Sequence, residues 1–350
     1  MISQIPCSES DHVFISFVAF RDDFNTWNAS SYSIEVSAWG GGNNEFQAYT
    51  NDPSNIYVKG GNLYLRPTFT VDNPHFDEAK LYNGEMDLRS LWQTCTFSGF
   101  DGCHKTANGH GEILPPVLSG KITTNFAFTY GRVNVRAKIP KGDWIWPAIW
   151  LIPSDSHYGG WPRSGDIDII ESRGNTKAVI NGVNQGVNQL VSKLNWGPDY
   201  RHNAADKTTE YARKSVGDWH GWHTYSMEWT PDHIITLVDN VEILRVNTPT
   251  TGFWNFGGFQ GQDIWTAGGR NAPFDQPYRL ILSVAVGGDF FEDGDYDTPR
   301  PWGHSSHPKR DFWEHRADWG DTWRGEDAAM IVDYIEMIPT SRTAANSKRE

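Results

Sequence analysis

Apolar and polar residues alternate with a period of two over short stretches along most of the chain, and Gly, Pro, Asn or Asp bounds each stretch. Such alternation puts one set of side chains on each face of a pleated strand. Residues 131–139 show it best: Val133, Val135, Ala137 and Ile139 fall on one face, and Arg132, Asn134, Arg136 and Lys138 on the other. One face is expected in the core and the other wet or substrate-facing. Further strands are expected over 55–66, with Gly60-Gly61 as a hairpin turn, and over 222–229, 233–238, 242–246, 278–286 and 330–338. The apolar run that begins at Val13 and ends at Phe20 reads as another strand and is too short to span a membrane. Almost nothing repeats at the helical period, and no βαβ rhythm occurs. The expectation is an all-β sandwich or jelly roll, one domain over 1–340, with a polar tail, 341–350, expected to be disordered.

Composition sharpens this picture in two places. The chain carries 17 Trp, 18 Phe and 13 Tyr, too many for all to sit inside; flat rings with a polar handle also suit the C–H faces of sugars. The formal charge of −13 would repel a phosphate backbone, which argues against nucleic acid as a partner. Cys95 and Cys103 bracket a short loop with no zinc-like spacing, so a local disulfide is the simpler reading. A disulfide and the Asn28-Ala29-Ser30 sequon point to a secreted, extracellular protein, and nothing demands more than a monomer. Cys7 is left over as a free thiol or the partner of a segment elsewhere.

The candidate chemistry lies in Ser164-Gly-Asp-Ile-Asp-Ile-Ile-Glu-Ser-Arg-Gly174. In a regular strand Asp166 and Asp168 share a face, and Glu171 would point away. One extra residue near Ile169-Ile170, a β-bulge, would bring Glu171 back beside them, and bulges occur preferentially next to active sites. The competing reading is an acidic solvent-facing strand.

This segment resembles the E-I-D-x-x-E signature of glycoside hydrolase family 16, in the form seen in animal endo-β-1,3-glucanases (laminarinases) and the related β-1,3-glucan recognition proteins. The resemblance extends through GGGNNEFQAYT from Gly40, YGRVNVRAKIPKGDWIWPAIWLIP from Tyr130, HTYSMEWTPDHI from His223, APFDQPYRLILSVAVGG from Ala272 and AMIVDYIEM from Ala329. It implies a concanavalin-A-like jelly roll with a concave substrate cleft, and a retaining double displacement on β-1,3-glucan. By position, Asp166 stands where the family has its nucleophile, Glu171 where it has the general acid/base, and Asp168 between them. Retaining chemistry wants two carboxyl groups about 5 to 5.5 Å apart, one ionised and one protonated. The sequence departs from the family at that first position, which is Glu elsewhere. A misplacement of roughly an ångström can cost about 10²-fold in rate. Slow retaining hydrolysis, an inverting route and binding without turnover all remain open. The leading expectation is an endo-β-1,3-glucanase, and the alternative is a recognition protein that has lost turnover.

The resemblance also implies substrate contacts from Asn44, Trp146, Trp150, Trp161, Asn195 and Trp196. Asn195 replaces the family's usual His, and Ser283 its usual Asn. Trp144 and Trp146, two apart, are expected on one strand face, where some of these rings could equally be core. No cofactor is required. Asp293, Asp295 and Asp297 resemble a calcium loop without its Gly and Glu, which leaves a structural calcium as an alternative. The pairs His220/His223 and His304/His307 lack a metal motif.

Overall fold

The computed structural model describes residues 18–109 and 111–340. Two antiparallel sheets dominate it. One has seven strands in the order Thr209–Arg213, Gln189–Asn195, Asp166–Glu171, Ile145–Pro153, Tyr278–Val286, Lys121–Phe128, Tyr32–Ile34. The other runs Val241–Asn247, His233–Val238, Trp222–Trp229, Gly131–Lys138, Met330–Pro339, Asn62–Leu65, Ile56–Lys59, with Phe20–Asp22 paired to Met330–Pro339 as an eighth strand. Hairpin neighbours such as His233–Val238 beside Trp222–Trp229 alternate with strands far apart in sequence, such as Ile145–Pro153 beside Tyr278–Val286, as the crossing connections of a jelly roll require.

The alternation of 131–139 reappears directly: Val133, Val135 and Ala137 are buried and their outward neighbours are partly exposed. These valines meet Ile149, Leu151, Ile167, Leu280 and Leu282 from the seven-stranded sheet in one hydrophobic cluster, so the core lies between the sheets. The hairpin at Gly60-Gly61 has φ of 59° and 74°, the left-handed values that favour glycine in a two-residue turn. The strands expected over 55–66, 222–229, 233–238, 242–246, 278–286 and 330–338 are all present to within a residue or two. Of the run from Val13 to Phe20, residues 13–17 lie outside the described residues, as do Cys7 and the tail from 341.

Residues 84–109 and 111–115 stand apart from the sandwich core. A short hairpin, Glu85–Asp87 with His104–Thr106, and a disulfide between Cys95 and Cys103 hold them. Their apolar side joins a second cluster around Leu81, Met86, Leu88 and Leu114.

Candidate functional site

The acidic strand Asp166–Glu171 lies between Ile145–Pro153 and Gln189–Asn195. Ile167, Ile169 and Ile170 are fully buried in the core cluster, although two of them are adjacent in sequence. A slip in register allows this. Against Ile145–Pro153 the pairing passes from Ile149–Ile170 to Trp150–Asp168, leaving Ile169 over. Against the other neighbour it passes from Asp168–Lys193 to Glu171–Val191. The additional residue is a β-bulge, and beyond it Glu171 returns to the face of Asp166 and Asp168. Cross-strand partners share a face, so Asn195, Lys193 and Val191 flank the carboxylates on one side and Trp150 and Ala148 on the other.

This face points away from the core, yet Asp166, Asp168 and Glu171 are only 5%, 5% and 3% exposed. The surface is therefore recessed. Trp161, 52% exposed, stands at its rim, and its indole Nε1 donates to Asp166 Oδ2 at 2.7 Å. Asn195 Nδ2 donates to Asp166 Oδ1 at 2.7 Å and to Asp168 Oδ2 at 3.0 Å. Asn203 Nδ2 in turn donates to Asn195 Oδ1, which fixes the orientation of the amide. Trp146 Nε1 donates to Glu171 Oε1 at 3.0 Å, and the Trp146 ring stacks on Phe290 at 4.1 Å. Lys193 Nζ lies 2.6 Å from Glu171 Oε2 and 3.7 Å from Asp168 Oδ2. The closer contact is an ion pair with Oε2 buried beneath the ammonium.

Crowded carboxylates out of water resist ionisation. Burial pushes Asp166 up to about 6, against the opposing pull of its Asn195 and Trp161 hydrogen bonds. Asp168 is raised well above the usual carboxylate range, by burial first and then by the charges of Glu171 and Asp166. Lys193 is held charged: burial works against its ammonium, but Glu171, Asp168 and Asp166 together more than offset it.

The remaining expected contacts divide by which way the strand faces. Trp146 and Trp150 flank Ala148 on the recessed face, where Trp150 Nε1 donates to Ser283 Oγ at 3.2 Å. Ala148 lies opposite Glu171, so the small side chain leaves room above that carboxylate. Trp196 does not belong to this surface. It is fully buried, with Nε1 donating to Thr208 Oγ1 and its ring among Phe253, Phe256, Phe259 and Trp265, because the residue after outward-facing Asn195 must face inward. Trp144 is likewise core, on a left-handed residue just before the strand rather than on its face. Asn44 is exposed and donates to Asp289 Oδ2 at 2.7 Å; with Trp39 and Glu45 it lines a cavity of about 250 Å³ that none of the three carboxylates touches. Of the three aspartates resembling a calcium loop, Asp293 pairs with Arg300 and Asp295 with Lys177. His223 pairs with Asp239, and His220 meets the Ile139 carbonyl and Asp327.

Lys193 went unnoticed in the sequence. Its signal was present in QLVSKLN, where Val191, Lys193 and Asn195 alternate with Leu190, Ser192 and Leu194. A lysine two residues before a cleft asparagine must share its face.

A jelly roll whose acidic strand runs between tryptophans on a recessed sheet belongs to the class of polysaccharide-handling β-sandwiches. The chain is a member of glycosyl hydrolases family 16, whose profile matches residues 93–294. It is 39% identical over 335 residues to the protein of Penaeus monodon named beta-1,3-glucan-binding protein, covering 91% of this chain and 89% of that one. It is 29% identical over 282 residues to the glucan endo-1,3-beta-glucosidase of Cryptopygus antarcticus, covering 79% and 83%. The laminarinase of Rhodothermus marinus shares the fold with a TM-score of 0.59 at 21% identity, over 94% of this chain and 99% of that one.

Proposed function

We propose that the recessed face recognises β-1,3-glucan and holds it with little or no hydrolysis. The observation that carries this reading is the state of Asp166. Its side chain is one methylene shorter than the family's glutamate, and both its oxygens are anchored at 2.7 Å, by Trp161 and by Asn195. A carboxylate drawn back and tied at both oxygens is poorly placed to reach an anomeric carbon, since reacting atoms must come within about 3 to 3.5 Å. The rings of Trp150 and Trp161, partly exposed and exposed on the recessed face, remain available to sugar faces. The name of the Penaeus monodon relative agrees with recognition as the leading role.

Hydrolysis is the second reading. In its favour, the bulge keeps Asp168 and Glu171 on one face with Asp166, an arrangement that costs charge repulsion and that simple binding does not require. The Cys95–Cys103 disulfide and the exposed Asn28 sequon support placement outside the cell.

Calorimetry with laminarihexaose, beside a reducing-end assay on laminarin, tests the choice. Binding without release of reducing ends is the expected result. Release that disappears in Glu171→Gln would make the chain an enzyme and overturn the recognition reading.

A further inference from the structure

We infer that Lys193 is a charge clamp that prevents Glu171 from acting as a proton donor, so that the site is held silent by two separate locks, Lys193 and the shortened Asp166. This deepens the recognition reading and rests on it only for the identity of the sugar.

A glycosidic bond breaks when the carboxylate at position 166 attacks the anomeric carbon while a proton moves to the departing oxygen. The leaving sugar takes the bonding pair together with that proton. Glu171 must then present a proton-bearing oxygen to the substrate. Here one oxygen already accepts the Trp146 indole N–H at 3.0 Å, and the other lies buried under the Lys193 ammonium at 2.6 Å. Neither is presented as a donor. Lys193 is itself held in its charged form by three carboxylates and is a poor substitute acid. The second half of the cycle differs. There a water attacks the glycosyl intermediate and gives up its proton to a carboxylate, so that half asks no proton of Glu171.

That asymmetry provides a readout that a merely structural lysine would not produce. A 2,4-dinitrophenyl β-glycoside of laminaribiose carries a leaving group that departs without a proton, whereas laminarin needs one. Asp166→Glu alone is expected to cleave the dinitrophenyl glycoside but not laminarin. Asp166→Glu with Lys193→Thr is expected to cleave both, with laminarin turnover at least about 10²-fold above either single variant, the low end of what a general acid contributes. Asp166→Glu with Lys193→Arg, which keeps the clamp, should stay silent on laminarin. Laminarihexaose binding is measured by calorimetry on the native chain and on Asp166→Glu with Lys193→Arg, neither of which is expected to hydrolyse it.

Cleavage of laminarin by Asp166→Glu alone, at the rate of the double variant, overturns the clamp. So does a double variant that cleaves only the activated glycoside. If Lys193→Thr does not fold, the contrast between the two substrates within Asp166→Glu still decides. Loss of laminarihexaose binding in the native chain would instead defeat the recognition reading, and turnover of the activated glycoside would still report on the clamp.

Discussion

The two sheets of the sandwich each hold a lysine–carboxylate pair on the side away from the core, and the pairs differ chiefly in water. On the eight-stranded sheet Lys138 meets Asp327 at 3.1 Å, with side chains 23% and 54% exposed. On the seven-stranded sheet Lys193 meets Glu171 at 2.6 Å, with side chains 25% and 5% exposed. The lysines are equally wet; the carboxylates are not. An exposed pair is screened and contributes roughly 0 to 1 kcal/mol. A buried carboxylate stripped of its partner keeps a charge with no compensation, at a cost of about 3 to 5 kcal/mol. Lys193→Met should therefore lower stability by about that amount in urea unfolding, and Lys138→Met by no more than about 1 kcal/mol. Adding Glu171→Gln to Lys193→Met should recover part of the loss. Equal effects at the two lysines would break the comparison.

Tryptophans divide along the same line, and they show where the sequence was legible. The alternation of 131–139 was readable because successive residues of that strand face opposite ways along its whole length, and the one slip in its ladder falls on the partner strand Met330–Pro339. The bulge was readable from chemistry: without it, Glu171 would be driven into the isoleucine core. Trp196 was misread because a motif was followed as a block. Period two forbids Asn195 and Trp196 from facing the same way, and Asn195 is the one on the carboxylates. Lys193 was missed for the complementary reason, since its importance depends on which carboxylate the bulge places beside it. Trp196→Ala should cost about 3 to 5 kcal/mol as a cavity among aromatic rings. A thermal melt that scarcely moves would place Trp196 outside the core after all.

Acid–base behaviour sharpens the contrast again. Glu45 is buried beside Gln47, whose Nε2 donates to it at 2.6 Å; burial outweighs that bond and pushes Glu45 up to about 7. A carboxyl whose folded value exceeds its unfolded one contributes stability below the unfolded value, near 4.5, and loses it as pH rises through 7. Asp166 and Asp168 shift in the same direction. Between pH 4 and 8 the native chain should lose about 3 kcal/mol relative to Glu45→Gln, at roughly 1.4 kcal/mol per pH unit of displacement. Urea unfolding at a series of pH values checks this. A constant gap between the two chains would mean that water reaches Glu45.

The smallest effect belongs to the wettest ring. Trp161 is half-exposed, and its one described hydrogen bond goes to Asp166. Removing it takes little from the core, so Trp161→Ala should melt within a degree or two of the native chain, as surface changes worth about 0.5 kcal/mol do. If the ring is a sugar platform, laminarihexaose should nonetheless bind about tenfold more weakly, a loss of roughly 1.4 kcal/mol. Trp196→Ala should show the reverse, with a large fall in stability and, well below its melting temperature, nearly native affinity. Two variants that moved together in both measurements would show that the rim and the core are not separable here. The recessed face would then be a consequence of packing rather than a surface kept open for a ligand.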